Sequence, residues 1–316
     1  MTRRLDGALD ERMDWGSTWP TTAGQDIAPG YRAWELIGQG KRFELWLVWD
    51  SRRWLPACVK LPRQDAMSGS TVAALGREFY AISLLDHPQI PRLLGHDLSA
   101  EVPYIVYEFV EGLSLSESLD QEGPCSWIDA TYLGLELASA LRHVHEQGLV
   151  HLDLKPRNVI MRDDRAVLVD FDIALPIGVV RSETRPRGTH QYMAPEQIRC
   201  EPANPSMDLF ALGALLYEAV TNRRAYRRRR TGSLSRSTST ATADKVYRQL
   251  DSDAAPLAEL VPGISTDFVR LVDRLLDRDP ARRPESSSHV LAELGLLLPP
   301  EEEGLWPSWV DPLQDQ

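Results

Sequence analysis

Three cysteines in 316 residues, Cys58, Cys125 and Cys200, are too few and too far apart to form a disulfide framework or a paired-cysteine zinc site. Their scarcity points to a reducing compartment. Nowhere does the chain hold 18 consecutive apolar residues, so no membrane-spanning helix is expected. The opening stretch, MTRRLDGALDERMDW, also lacks the apolar core of a secretory signal. A cytoplasmic location is the resulting expectation. Positive charge is in short supply as well: 35 Lys and Arg stand against 46 Asp and Glu, a formal net charge of -11. That balance disfavours a chain built around a polyanion, and nucleic acid is not among the expected partners.

What is present divides by character along the chain, whose length is roughly twice a ~150-residue domain. Residues 1–30 are polar, with Trp15 and Trp19 isolated among them, and read as a flexible leader. From 31 to 112, short runs rich in Val, Ile, Trp and Tyr alternate with turn residues and one helical stretch, Ser70 to Leu85, as in a small sheet-based lobe. From 113 to 298 the pattern is mainly helical. Ser126 opens a helix with apolar positions at Leu133, Leu137, Ala140, Leu141 and Val144 that Gly148 stops. Ser206 to Thr221 is apolar nearly all round and so should be buried, and Ser265 to Leu276 carries Phe268, Val269, Val272, Leu275 and Leu276 on one face.

Residues 223–244, arginine-rich and then Ser/Thr-rich, have little to bury and read as a disordered insertion. Its run Arg227 to Arg230 reads as a solvated loop. His143 and His145 are expected to complement a helix end, not to bind metal. The acidic, Pro-rich end, 299–316, is expected to be a disordered tail unless Trp306 and Trp309 dock it.

Moving a phosphoryl group requires a cation against the phosphates, oxygen ligands for a metal, and a carboxylate that aims the acceptor hydroxyl. The chain offers these in one order. Ile37-Gly38-Gln39-Gly40 precedes a strand, where residues without side chains let backbone N–H groups approach phosphates, although two glycines there equally fit a plain hairpin. The place of a third glycine is taken by Phe43, with Arg42 at the tip, so a stiffer cover is expected. Lys60, ending Ala57-Cys58-Val59-Lys60, could neutralise phosphates, with Glu78 in the next helix as its orienting partner. Asp153 and Asn158, five positions apart, put a base-like group and a metal ligand on one turn, and Lys155 between them can stabilise transferring charge. Beyond them, Asp170 is offered to the same metal and Phe171 to the core.

With these residues, and with Gly188-Thr189-His190-Gln191-Tyr192-Met193-Ala194-Pro195-Glu196, Asp208 with Gly213, and Asp279-Pro280-Ala281-Arg282-Arg283-Pro284, the sequence resembles a bacterial eukaryotic-like (Hanks-type) serine/threonine protein kinase from about Tyr31 to Leu298. The resemblance implies an α+β, bilobal protein kinase fold and Mg²⁺-assisted transfer from ATP to a Ser or Thr hydroxyl of a protein substrate. In the Ser/Thr-rich insertion, Thr231, Ser233, Ser235, Ser237 and Thr238 are accessible candidates for autophosphorylation. The resemblance further implies that Glu196 pairs with Arg283 and that Asp208 braces the catalytic-loop backbone. Adenine would lie under Tyr107-Glu108-Phe109-Val110, with Glu108 and Val110 offering backbone groups, Tyr107 as the gatekeeper, Ala57 and Ile160 on either side of the ring, and Leu45 nearby.

Three residues depart from the family pattern. Leu152 replaces the arginine that receives an activation-loop phosphate, so control by such a phosphate is not expected. Asp172 replaces the glycine after Phe171, and Phe43 stands in the glycine loop. A pseudokinase scaffold and a small-molecule phosphotransferase are the alternative readings; Lys155 and Ala194-Pro195-Glu196 argue against the second.

Overall fold

The computed structural model describes residues 23–180, 185–226 and 247–298. The expectations for Trp15, Trp19, the run Arg227 to Arg230, the hydroxyls Thr231 to Thr238, and Trp306 and Trp309 lie outside the described residues. Backbone packing divides the chain into two compact units, Met1–Val72 with Gly95–Val106 and Ala73–Leu94 with Tyr107–Gln316.

The first unit is built on a six-stranded sheet of order β1-β2-β3-β4-β6-β5, where β1 is Asp26–Ala28, β2 Tyr31–Gln39, β3 Phe43–Asp50, β4 Leu55–Pro62, β5 Leu93–Asp97 and β6 Tyr104–Glu108. The residues expected to form a leader therefore end in a strand. Ile27 and Ala28 are buried, and Gly30, at φ 85°, turns the chain so that Ala28 pairs with Tyr31. Strand alternation sorts β3 into two faces: Trp46, Val48 and Asp50 are buried on one, while Phe43 and Leu45 share the other. Asp50, fully buried, accepts from the N–H groups of Arg52 (2.9 Å) and Arg53 (3.1 Å) and from the Arg53 guanidinium (2.8 Å). Burial pushes its carboxyl up, but these bonds outweigh it and hold the group below its ordinary range.

Helix α1, Gly69–Ser83, agrees with the expected span within two residues. The unit boundary differs from the expected break at 112, because residues 73–94 are bonded to the second unit. Asp86 N–H donates to His143 Nε2 (3.1 Å), His87 Nε2 lies 3.2 Å from Ser139 Oγ, and Leu168 N–H donates to Gln89 O (2.8 Å).

In the second unit, β7 (Leu113–Ser114) leads into α2 (Leu115–Glu122), and then come α3 (Trp127–Glu146), β8 (Leu149–Val150), β9 (Val159–Arg162), β10 (Arg165–Leu168) and β11 (Leu175–Pro176). Helices α4 (Pro195–Ile198), α5 (Pro205–Thr221), α6 (Leu257–Leu260), α7 (Thr266–Leu275) and α8 (Ser287–Gly295) follow. The Ser126 hydroxyl caps α3 by accepting from Asp129 N–H (3.1 Å), and its five predicted apolar positions are all buried. Helix α5 is buried nearly all round, as its composition dictates, and Asn222 ends it in the left-handed conformation at φ 48°. At Gly213 a Cβ would come within 2.6 Å of Leu275 Cβ, so the absent side chain is what lets α5 lie against α7. Each fully buried leucine in this core, such as Leu137, Leu141, Leu215 and Leu275, contributes about 1.5–3 kcal/mol.

Each unit holds a buried or half-buried thiol. Desolvation pushes Cys58 up to about 12 in the first unit and Cys125 up to about 11 in the second.

Candidate active site

The loop after β8 is fixed from below by Asp208 on α5. Its carboxylate accepts from the N–H groups of His151 and Leu152, each at 2.8 Å, and meets His145 Nε2 at 2.9 Å. Burial alone would push this carboxyl up; the His145 bond, the charges of His145 and His151 and the Leu152 N–H prevail and hold it below its ordinary value. Leu152 is held in this brace at φ 69°, a left-handed conformation costly for a bulky side chain. His145, expected at a helix end, thus orients this brace and is itself steadied by Ser287 Oγ at 3.1 Å.

On that platform the polar residues converge on Asp153. Lys155 Nζ lies 2.5 Å from Asp153 Oδ2, and Asn158 Nδ2 donates to the Asp153 carbonyl at 3.0 Å. Thr189 donates to Asp153 Oδ1 with both its N–H and its hydroxyl, each at 2.8 Å. Val169 N–H donates to Asn158 O (2.9 Å), which brings the Asp170 backbone beside this turn. Asp170 sits at φ 68°, and Phe171 is buried with its ring edge-on to His151 at 4.7 Å. Asp172 is half-buried just beyond.

Around the acceptor side, Arg283 and Glu196 form a two-pronged buried pair at 2.6 and 2.9 Å, and the guanidinium also donates to the carbonyls of Ser206 and Asp277, each at 2.8 Å. Two glutamines that sequence reasoning did not single out lie here. Gln197 Nε2 donates to Leu152 O (2.8 Å) and Arg187 O (2.9 Å); Gln249 Nε2 donates to His190 O (2.7 Å) and Met193 O (3.0 Å). Tyr247 stacks on the His190 ring at 4.2 Å.

Two further expected residues meet in the second unit. Glu78, on α1, accepts from the Tyr107 hydroxyl at 2.8 Å, and burial together with the Glu78 charge pushes the Tyr107 phenol well above its ordinary range. Glu108 pairs with Arg92 (3.0 Å) and Arg162 (3.1 Å), and its N–H is already bonded to Arg92 O (2.9 Å). Val110 is half-buried, and Ile160 lies on β9 opposite Ser114.

In the first unit, Ile37, Gly38 and Gly40 lie in the β2–β3 hairpin. Gly38 faces Leu45 across the ladder, Gly40 N–H donates to Phe43 O (2.8 Å), and Leu45 faces Lys60. Phe43, expected as a cover, is buried: its position diagonal to Lys60 places the ammonium 5.3 Å from the ring centroid, and the Arg42 guanidinium lies at the same distance. Ala57 requires a correction. Three residues before Lys60, it faces the opposite side of β4, paired with Val48; Cys58, two residues before Lys60, shares the lysine's face.

A strand lysine on the sheet of one unit and an Asp-Lys-Asn turn on a helical unit are the parts of an enzyme class that moves phosphoryl groups. The chain matches the protein kinase domain family over residues 31–293 and belongs to that family. It is similar to the serine/threonine-protein kinase PknB of Mycobacterium leprae, 28% identical over 277 residues covering 85% of this chain and 43% of that protein. PknB of Mycobacterium tuberculosis is 28% identical (86% and 44% covered), and PknB of Mycolicibacterium smegmatis 26% (86% and 44%). The chain thus spans less than half the length of these relatives. Among the described residues no helix is long and apolar enough to cross a membrane.

Proposed function

We propose that this chain is an ATP-dependent serine/threonine protein kinase acting in the cytoplasm. The observation that carries this reading is the hydroxyl of Thr189 donating to Asp153 Oδ1 at 2.8 Å: the carboxylate has the reach and direction to hold a Ser or Thr hydroxyl. In turnover the acceptor hydroxyl meets the same carboxylate, and Asp153 orients it and receives its proton as the oxygen bonds to the γ-phosphorus and the bond from that phosphorus to the departing ADP breaks. Lys155, already on Oδ2, supplies positive charge beside the transferring group.

The donor set suits Mg²⁺. Asn158 spends its amide nitrogen on the Asp153 carbonyl and keeps its oxygen as the acceptor, and Asp170 adds a carboxylate. Mg²⁺ takes one or two carboxylates and completes its shell with water and phosphate oxygens. A bound Mg²⁺ supplies charge neutralisation at those oxygens. Lys60, Gly38 and Gly40 are assigned to the phosphates, with Glu78 orienting the lysine. Leu45, Ile37, Cys58 and Ile160 are assigned to the adenine. Because the Glu108 N–H is already bonded to Arg92 O, the Glu108 carbonyl and Val110 N–H remain for the base. The protein's own Ser and Thr residues are candidate acceptors alongside a protein substrate.

Radiolabelled ATP with Mg²⁺ and a peptide array tests this. Transfer to Ser or Thr peptides is expected, and Asp153→Asn should reduce it by about 10²–10⁴-fold without unfolding the chain. No Mg²⁺-dependent transfer by the wild type to any peptide would replace this reading with a nucleotide-binding scaffold.

A further inference from the structure

Leu152 removes the arginine through which the family's activation loop is tied to the catalytic loop, yet the stretch Arg187 to Thr189 is held against that loop. The tie is neutral. Gln197, buried at 7% exposure on α4, donates both amide hydrogens: one to Leu152 O at 2.8 Å, the other to Arg187 O at 2.9 Å. Carbonyl oxygens only accept, so the amide nitrogen must face both of them, and the orientation of the side chain follows from its partners. The bridge is tight. At Gly188, with φ 128°, a Cβ would lie 2.8 Å from Gln197 Nε2 and 3.1 Å from Leu152 O, so glycine is what lets the chain pass this close to the bridge. One residue further, Thr189 is on Asp153.

We infer that Gln197 is a positioning residue that does the work elsewhere done by a phosphate, latching the acceptor loop to the catalytic loop by two hydrogen bonds and so holding Thr189 and Asp153 in register without phosphorylation. This rests on the kinase reading. Two features of the site make the assignment specific. Leu152 offers no charge for a phosphate to meet, and its strained backbone turns its carbonyl to Gln197, so the same residue that forfeits the ionic switch supplies one end of the neutral one. Gln249, fully buried, repeats the device on the other half of the loop, joining the carbonyls of His190 and Met193. A loop held by amide donors has no state that awaits a modifying enzyme.

The test compares wild type with Gln197→Met, which keeps the length and removes both donors. The expected result is a fall in kcat for a Ser/Thr peptide of roughly 10–100-fold, since small misplacements at the reacting groups cost that much, with the KM for ATP within about twofold. Trypsin should cut after Arg187 about tenfold faster, as local opening becomes more populated. Phosphatase-treated wild type should keep its rate within about twofold. If Gln197→Met fails to fold, Gln197→Asn, one methylene shorter and unable to reach both carbonyls, takes its place in the same measurements. Wild-type cleavage and turnover in these variants, or a wild type that loses most of its activity on dephosphorylation, would overturn the proposal. A wild type that transfers no phosphate defeats the kinase reading alone, because the cleavage comparison still decides whether Gln197 is the latch.

Discussion

The hairpin loop of the first unit, Gly38 to Phe43, and the catalytic turn of the second, His151 to Asn158, are both short, yet they are held by different means. The hairpin is tied by Gly40 N–H to Phe43 O, by Arg63 to the carbonyls of Arg42 (2.8 Å) and Gly40 (3.4 Å), and by an exposed Gln39–Glu44 contact; Leu36 and Ile37 beside it are exposed. The catalytic turn rests on a buried carboxylate, a histidine set edge-on to Phe171 and a glutamine amide, which together hold the left-handed backbone at Leu152. Rigid support is concentrated at the turn to which the proposed transfer is assigned, a step that needs its groups placed to within a fraction of an ångström. The hairpin, assigned in the same proposal to covering the nucleotide, is left more adaptable.

If that contrast is right, breaking the buried support should have the larger effect. Arg283→Met would strand Glu196 and leave the Ser206 and Asp277 carbonyls without their donor, and should cost about 3–5 kcal/mol of stability, read as a lower urea midpoint. A change under about 1 kcal/mol would show that the pair is ornamental and the contrast false.

Acid should come next. The His87 imidazole is held below its ordinary value, first by burial and then by the charges of His143 and Arg142. The unfolded chain therefore takes up the proton first, and stability declines as pH falls below about 6.5. Asp208 is also lowered, so its contribution is present above about pH 3.8 and is lost as pH falls through the folded value beneath it. The urea midpoint plotted against pH should show a shallow decline from about 6.5 and a steeper one below 3.8. Replacing His87 with Gln should flatten the first limb, and an unchanged limb would remove His87 from the account.

The smallest effect should come from the hairpin. Phe43→Gly restores the loop glycine and removes the ring beside Lys60 and Arg42, interactions worth roughly 0.5–1 kcal/mol each. The KM for ATP should shift by about fivefold or less, with peptide kcat nearly unchanged. A collapse of kcat would mean that Phe43 positions Lys60 for the transfer itself.

How much of this was legible depended on the distance between the groups that interact. The faces of α3 and α7 and the all-round burial of α5 follow from apolar spacing within one element, and the catalytic turn from residues within six positions of one another. Strand β1 was missed because three residues cannot show an alternation; its burial depends on the turn at Gly30. Ala57 was assigned to the wrong face for want of the strand register, which two-residue periodicity supplies once Lys60 is located. Gln197 and Gln249 bond to carbonyls 45 to 59 residues away, apart from Arg187, and Tyr107 meets Glu78 across 29 residues. No spacing in the chain announces such pairs.

The two shielded thiols make the units separately audible. Cys58 reports from the sheet of the first unit and Cys125 from beside the helices of the second, and with pKa values near 12 and 11 neither is appreciably thiolate at neutral pH. An alkylating reagent therefore reaches buried Cys58 only as fast as its surroundings open, whereas half-buried Cys125 reacts more readily and speeds up further as the second unit loosens. With Cys200 replaced by Ser, labelling the intact chain and weighing the two cysteine peptides over time would give two clocks in one tube, one for each unit.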